Sequence, residues 1–422
     1  MNFETISVIG LGYIGLPTAA VFASRKKKVV GVDINQQTVD IINRGEIHIV
    51  EPDLDMVVHA TVAGGYLKAV TSPEPADAFL IAVPTPIREN FEPDLSYVIA
   101  ASQAIAPVLK SGDLVILEST SPVGTTEKMA EWLAELRTDL TFPQNNGEES
   151  DIRIAHCPER VLPGRVLQEL VHNDRVIGGM TLKCSEQAVS LYKVFVEGAC
   201  VTTNVRTAEM TKLTENSFRD VNIAFANELS VICDEHGVNV WELIALANRH
   251  PRVDILKPGP GVGGHCIAVD PWFLVSNSPD KAKLIRTARE VNDSKPNWVV
   301  AKIGEAISEA LDKPHIDSIS DLTIACYGLS FKANIDDLRS SPALEIVGKI
   351  ASIFIGAKVV VFDPYVESIP ESLSEGGVQL VDEESARLAD VAVYLVGHRE
   401  FSRDPGNSTS IVVDVCGLLS SH

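Results

Sequence analysis

The chain has 422 residues, with 36 Lys and Arg against 57 Asp and Glu for a formal net charge of −21, and 45% of it is hydrophobic. That length predicts two to four domains at roughly 100–200 residues each, and the acidic balance opposes a general nucleic-acid binder, which needs a basic face. Seven cysteines without CxxC spacing oppose a disulfide framework and a zinc ribbon, ten histidines without an HExxH pattern leave a metal site unsupported, and no apolar run is long enough to span a bilayer. The N-terminus, MNFETISVIG, lacks a basic segment and runs straight into a strand-like stretch, which does not read as a signal peptide. A cytoplasmic, reducing location is expected.

In chain order, Ile6–Ile9 reads as a β-branched strand followed by a turn at Gly10, and Thr18–Ser24 as a helix of small apolar residues. Val29–Val32, Ala78–Val83 and Leu114–Glu118 read as further strands, and QNNGEESD at 144–151 as a surface loop. Strands alternating with helical patterns indicate a parallel α/β sheet. From about Thr207 the pattern becomes helical: Ala208–His236 without Pro or Gly, then Val240–Asn248 and Lys281–Asn292, with a glycine-rich segment Pro258–Pro271 between. After a polar link at Leu311–Ser320 the α/β pattern returns, with strands at Leu322–Tyr327, Lys358–Phe362, Asp390–Val396 and Ile411–Val415 and a helix at Ala343–Phe354. The expected architecture is α/β, with two Rossmann-like doubly wound parallel-sheet domains flanking a central helical domain. The boundaries are 1–200, 201–314 and 315–422. The last region echoes the first, strand–Gly then strand–Asp; a true internal repeat and the general likeness of doubly wound domains both explain that echo.

Gly10-Leu11-Gly12-Tyr13-Ile14-Gly15 is GxGxxG between a strand and a helix. The first glycine permits the tight turn, the second lets a pyrophosphate approach the backbone, and the third allows close packing of helix on strand. Asp33 ends the second strand, where a carboxylate accepts hydrogen bonds from a ribose and repels a 2′-phosphate, favouring NAD over NADP. Pro84-Thr85-Pro86 and the run from Ser119 to Thr126 follow the third and fourth strands, at the carboxyl edge where such sheets bind ligands. A simple helix cap at Thr125 or Thr126 is the competing reading.

Glu209, Lys212, Asn216 and Arg219 share one face of the long helix. A lysine and an amide four residues apart can direct donors at one developing oxyanion; a solvated charged face with a Glu209–Lys212 pair is the alternative. In PGPGVGGHCIAVDP, Cys266 follows a glycine turn at the expected start of a helix, with Asp270 four residues on. A dinucleotide site joined to a nucleophilic cysteine suits oxidation of an alcohol to an acid. A thiolate captures the intermediate aldehyde, and the resulting thiohemiacetal gives up a second hydride to become a thioester.

These segments, with NRGEIHIVEPDL, CPERVLPG, AEMTKLTENSFRDVNIAFANEL, NRHPRV and FKANIDDLRSSPA, make the chain resemble the UDP-glucose/GDP-mannose dehydrogenase family over its whole length. The resemblance implies an NAD domain, a central dimerisation domain and a UDP-sugar domain. It implies Cys266 as thioester-forming nucleophile, Lys212 as proton donor or oxyanion stabiliser, Asn216 as its helper, Asp270 as a positioning group, and Thr120 and Glu159 as holders of the hydrolytic water. It places Tyr13, Ile14, Asp33, Thr85, Thr126 and Arg339 on NAD. It places Arg160, Val161, Lys212, Asn216, Arg219, His250, Arg252, Gly263, Phe331 and Lys332 on the UDP-sugar, with Arg252 shared across a homodimer.

The substrate implied is UDP-N-acetyl-D-mannosamine, oxidised at C6 to the uronic acid for surface polysaccharide such as enterobacterial common antigen. The alternatives are UDP-glucose, UDP-N-acetylglucosamine or GDP-mannose, or a catalytically silent sugar-nucleotide binder. One position departs from the pattern: relatives often carry Lys or Arg where this chain has Cys416, and a neutral thiol cannot make that charged contact.

Overall fold

A computed structural model describes residues 3–162, 164–314, 316–401 and 410–419. The chain divides into two compact units, one of residues 1–215 and 272–277, the other of 216–271 and 278–422.

The first unit is built on an eight-stranded sheet of order β3-β2-β1-β4-β5-β6-β7-β8. Its strands are β1 (Thr5–Ile9), β2 (Lys28–Val32), β3 (Leu67–Val70), β4 (Ala78–Ile81), β5 (Leu114–Leu117), β6 (Arg153–His156), β7 (Arg175–Gly179) and β8 (Cys200–Asn204). Successive residues face opposite cores, as a sheet covered on both faces requires. Ile6, Val8, Ala78, Leu80, Leu114 and Ile116 enter one core, while Ile9, Phe79, Ile81, Val115 and Leu117 enter the other.

The first sheet is parallel from β3 through β6, as expected, and then takes one antiparallel step. β6 and β7 pair antiparallel, through Ala155 with Gly179 and His156 with Gly178, and β7 and β8 then run parallel to each other. The glycines make this edge possible: a Cβ on Gly178 would lie 2.6 Å from the Asn204 carbonyl oxygen and 2.7 Å from the Ala208 Cβ. The stretch read as a loop at 144–151 contains a short helix, Pro143–Asn146, and a 3-10 turn, Gly147–Glu149. Pro143 at the first helical position starts that helix, where a missing N–H costs nothing.

The second unit holds a five-stranded, all-parallel sheet of order β11-β10-β9-β12-β13. Its strands are β9 (Thr323–Tyr327), β10 (Lys358–Phe362), β11 (Gln379–Leu380), β12 (Val391–Tyr394) and β13 (Ile411–Asp414). It is also buried on both faces, with Ile324, Cys326, Val391 and Val393 on one side and Ala325, Tyr327, Ala392 and Tyr394 on the other.

Two long helices carry the helical pattern. Val205–Glu235 is close to its expected span, and the division between the units falls within it. The second runs Lys283–Leu311, far beyond the expected end at Asn292, because it continues through Pro296. Pro296 removes one helix hydrogen bond, but polar contacts with the first helix hold the region. Arg289 donates to Asp220 at 2.7 Å, Asn227 to Asn292 at 2.9 Å, and Lys295 to Ser230 at 2.5 Å. No helix among the described residues is long and apolar enough to cross a membrane, and no group of three or more His, Cys, Asp or Glu among them could hold a metal ion.

Candidate active site

At the GxGxxG turn of the first unit the three glycines have distinct roles. Gly10 has φ +91°, and a Cβ there would lie 2.7 Å from the Ala82 carbonyl oxygen. A Cβ on Gly15 would lie 1.8 Å from the Gly10 carbonyl oxygen, so both positions admit only glycine. A Cβ on Gly12 would meet nothing within 4 Å. The outer glycines are therefore required by packing, and the middle one leaves its backbone open, as close approach of a pyrophosphate needs. Tyr13 is exposed and Ile14 precedes the Gly15–Ser24 helix without a side-chain cap. Asp33 is half-buried; one carboxylate oxygen accepts from the Leu11 N–H at 3.1 Å and the other from Asn35 N–H at 2.9 Å. These residues fit a dinucleotide with a free ribose.

The loops after β4 and β5 are tied together. The Thr85 hydroxyl donates to the Thr120 carbonyl at 2.5 Å, and the Ser119 hydroxyl to the Val83 carbonyl at 2.7 Å. The start of the Thr125–Leu136 helix is capped from a distance. The buried Glu209 carboxylate accepts from Gly124 N–H (2.6 Å), Thr126 N–H (2.8 Å) and the Thr126 hydroxyl (2.7 Å). Burial raises the Glu209 pKa, and those hydrogen bonds oppose the rise. Glu209 thus faces a helix N-terminus, where negative charge is favoured, and anchors the helix that carries Lys212 one turn on. Its placement was not legible in the sequence, because the partners are more than 80 residues away.

Glu159 is buried in the segment that follows β6. Arg160 N–H donates to one of its oxygens at 2.7 Å and Arg175 to the other at 2.9 Å. Arg175, itself buried, stacks over Tyr192, 4.9 Å from the ring centroid, and the Tyr192 hydroxyl donates to Glu118 at 2.6 Å. Burial pushes the Glu118 carboxyl up to about 7, with Arg175 pulling the other way. Sequence reasoning missed Glu118, Arg175 and Tyr192. The available signal was a charge at one end of each of two apolar strand runs, LVILE and RVIGG, since buried charges need partners. Arg160 pairs with Glu215 at 2.6 Å, and Val161 packs beside the first core.

In the second unit, Asn216 donates to Asp270 at 2.5 Å, with both side chains buried. Lys212 lies one turn before Asn216 on the same helix face, and Arg219 is exposed. Cys266 is the one exposed cysteine of the seven. It does not open the helix as expected but stands one turn ahead of it: its carbonyl accepts from Asp270 N–H at 2.9 Å, and the helix proper is Asp270–Asn277. The glycines before it press against the Phe331 segment. A Cβ on Gly263 would lie 2.4 Å from the Ser340 carbonyl oxygen, and one on Gly264 would lie 2.9 Å from the Phe331 ring. The structure thus brings Gly263 and Phe331 together, with Lys332 exposed beside them. Arg339, expected on NAD, makes a bidentate pair with Asp337, the shortest contact being 2.6 Å. The His250 ring accepts from Arg252 N–H at 3.3 Å. Cys416 is half-buried beside Asp414, and burial pushes its thiol well above the usual range.

Three parts of one family match in chain order: the NAD binding domain of the UDP-glucose/GDP-mannose dehydrogenase family at residues 4–196, its central domain at 206–294 and its UDP binding domain at 325–421. The UDP-N-acetyl-D-mannosamine dehydrogenase of Yersinia pestis is 66% identical over 405 residues, covering 95% of each chain. The NDP-N-acetyl-D-galactosaminuronic acid dehydrogenase of Ralstonia nicotianae is 62% identical over 424 residues, covering 100% of this chain and 97% of the relative. The solved UDP-D-ManNAc dehydrogenase of Pyrococcus horikoshii superposes with a TM-score of 0.85 at 41% identity, over 98% of this chain and 96% of that one. With its open glycine turn and acid-ended second strand, the chain belongs to the UDP-glucose/GDP-mannose dehydrogenase family and is an NAD-dependent nucleotide-sugar dehydrogenase.

Proposed function

We propose that the protein oxidises UDP-N-acetyl-D-mannosamine at C6 to UDP-N-acetyl-D-mannosaminuronate, with Cys266 as the covalent nucleophile. The observation that carries this reading is Cys266 itself, the one exposed thiol, set between a close-packed glycine turn and the buried Asn216–Asp270 pair. The identity to the Yersinia pestis enzyme supports the choice of sugar.

NAD, when bound, accepts a hydride in each of two oxidations. Gly10, Gly12, Tyr13, Ile14, Gly15, Asp33, Thr85, Thr126 and Arg339 are the proposed cofactor residues. Lys212 and Asn216 stabilise the C6 oxygen as it gains negative charge, and Asp270 holds the Asn216 amide in place. The Cys266 thiolate adds to the C6 aldehyde, and loss of the second hydride leaves a thioester. Glu159 and Thr120 hold the water that attacks it. The C–S bond breaks, the carboxylate leaves and the thiolate is restored. Overall, one alcohol, one water and two NAD⁺ give one carboxylate, two NADH and three protons. Arg160, Val161, Arg219, His250, Arg252, Gly263, Phe331 and Lys332 are the proposed contacts to the nucleotide-sugar.

We further propose the three domains 1–200, 201–314 and 315–422 and a cytoplasmic homodimer with Arg252 shared between subunits. Phe218, Phe225 and Ile232 are exposed and recur every seven residues on the Val205–Glu235 helix, an apolar stripe suited to a second copy.

The test is stoichiometry and residue dependence. Two NADH form per UDP-sugar consumed, and Cys266→Ala abolishes acid formation while NAD still binds. One NADH per sugar, or a fully active Cys266→Ala, sinks the thioester route. A second reading, an NDP-N-acetyl-D-galactosamine as substrate, is favoured by the Ralstonia nicotianae relative, named an NDP-N-acetyl-D-galactosaminuronic acid dehydrogenase. A panel of nucleotide-sugars read by NADH absorbance decides between them.

A further inference from the structure

The strap between Arg252 and Cys266 is held in an unusual way. Residues 254–259 form neither helix nor strand, and main-chain groups in such a segment need partners from elsewhere. Three asparagine side chains provide them. Asn248 accepts from Ile255 N–H at 2.8 Å and donates to Ile255 O at 2.9 Å, pairing with one residue as a neighbouring strand would. Asn222 accepts from Leu256 N–H at 2.9 Å and donates to Asp254 O at 2.8 Å. Asn227 accepts from Gly259 N–H at 2.9 Å. Its own amide donates to Asn292 Oδ1 at 2.9 Å, and Asn292 donates in turn to Asp220 Oδ1 at 2.8 Å. Asn222 and Asn227 lie on the Val205–Glu235 helix and Asn248 follows the Val240–Ala247 helix, so two elements grip one extended peptide.

The chemistry is specific to an amide. Asn offers one acceptor and two donors at a reach that matches a peptide unit. Aspartate would keep the bond from the N–H but set a second acceptor against the carbonyl oxygen. Downstream the strap stays confined. Gly261 adopts φ +142° with a would-be Cβ 3.1 Å from Pro342, Gly263 and Gly264 press on the Phe331 segment, and Asp270 is bound by Asn216.

We infer that Asn222, Asn227 and Asn248 are positioning residues that fix the 254–259 strap and through it the place of Cys266, two residues after the Gly264 that packs on Phe331. The inference rests on the reading of Cys266 as nucleophile only for its effect on turnover.

The test uses the full-length Asn222→Asp and Asn248→Asp variants. Near pH 8, kcat for acid formation falls by about 10²-fold, the scale of a small misplacement of a reacting group. KM for NAD stays within about twofold, since the change lies outside the cofactor's binding contacts. The rate of iodoacetamide alkylation at Cys266, followed by peptide mass, changes by about threefold or more. Lowering the pH protonates the new carboxyl, which can then donate to the strap carbonyl; activity relative to the parent therefore rises as pH falls. Should an Asp variant not fold, Asn248→Ser removes the pairing without adding charge and is read in the same way. A parental alkylation rate in the folded variants overturns the strap. A changed alkylation rate with parental kcat keeps the strap and sinks Cys266 as nucleophile.

Discussion

The two sheets solve the same turn and use it differently. The order β3-β2-β1-β4-β5 in the first recurs as β11-β10-β9-β12-β13 in the second. After β1 and after β9 comes a left-handed glycine, Gly10 at φ +91° and Gly328 at φ +89°. Each donates to the end of the adjoining strand, Gly10 to Val32 O at 2.8 Å and Gly328 to Phe362 O at 2.9 Å. In each case the next leucine N–H donates to the acid that ends that strand, Leu11 to Asp33 at 3.1 Å and Leu329 to Asp363 at 2.7 Å.

There the likeness ends. In the first unit a helix starts at once at Gly15, Gly12 faces open space and Asp33 is half-buried. In the second the position of Gly12 is taken by Ser330, and the helix waits until Pro342. Asp363 is buried and hydrogen-bonded to His398 at 3.2 Å, and His398 also meets Ser330 at 3.3 Å. One sheet leaves its acid available to a ribose; the other builds its acid into the wall that supports the Phe331 segment.

The comparison can be broken most strongly at the shared glycines. Gly10→Ala and Gly328→Ala each force a left-handed alanine against fixed atoms, and each should cost ~3 kcal/mol or more in chemical denaturation. A Gly328→Ala protein that loses under ~1 kcal/mol would show that the two turns are not equivalent. Next come the acids. Asp33→Asn should raise KM for NAD about tenfold with little change in stability. Asp363→Asn should leave that KM alone and cost ~2 kcal/mol, because a buried charged partner of His398 is lost.

The pH dependence separates the units further. Glu118 in the first titrates near 4.5 when unfolded and at about 7 when folded, chiefly through burial, so the folded chain holds the extra proton between those values. Its contribution therefore falls as pH rises through that window. Lys295 in the second is pulled down from 10.5 to about 7, mainly by burial. There the unfolded chain holds the extra proton, and stability rises with pH from about 7 upward. Glu118→Gln should flatten the lower slope of a Tm-against-pH curve and Lys295→Met the upper one; unchanged slopes would refute the assignment. The smallest effect is expected at Ser341, whose hydroxyl accepts from Leu344 N–H at 3.3 Å and donates to Leu329 O at 2.6 Å. Ser341→Ala should cost ~1 kcal/mol, whereas the corresponding helix of the first unit has no side-chain cap to lose.

Much of this was legible in residue order. β10, Lys358–Phe362, matches its expected bounds to the residue, and the ends of β1, β2 and the Val205–Glu235 helix lie within a few residues of expectation. Apolar periodicity and glycine placement are local signals, and those elements carry them strongly. The last three strands of the first sheet, β6, β7 and β8, carry weak ones: RIAH is four residues long, RVIGG ends in glycines and CVTTN is largely polar. Their pairing depends on neighbours distant in sequence, so neither their existence nor the antiparallel step was readable. The candidate site divides in the same way. GxGxxG with Asp33 and the Gly-Gly-His-Cys run announced themselves, whereas Glu209 at the Thr126 helix start and Arg175 on Glu159 did not.

Residue types and spacing by themselves determined the α/β class, the nicotinamide cofactor and a cysteine with reason to react, because turn geometry and backbone approach are set within a few residues. Only the tertiary structure decided which carboxylate is open and which is walled in, and which asparagines stand in for a missing strand. Those outcomes depend on burial and on partners that the chain brings together from tens of residues apart.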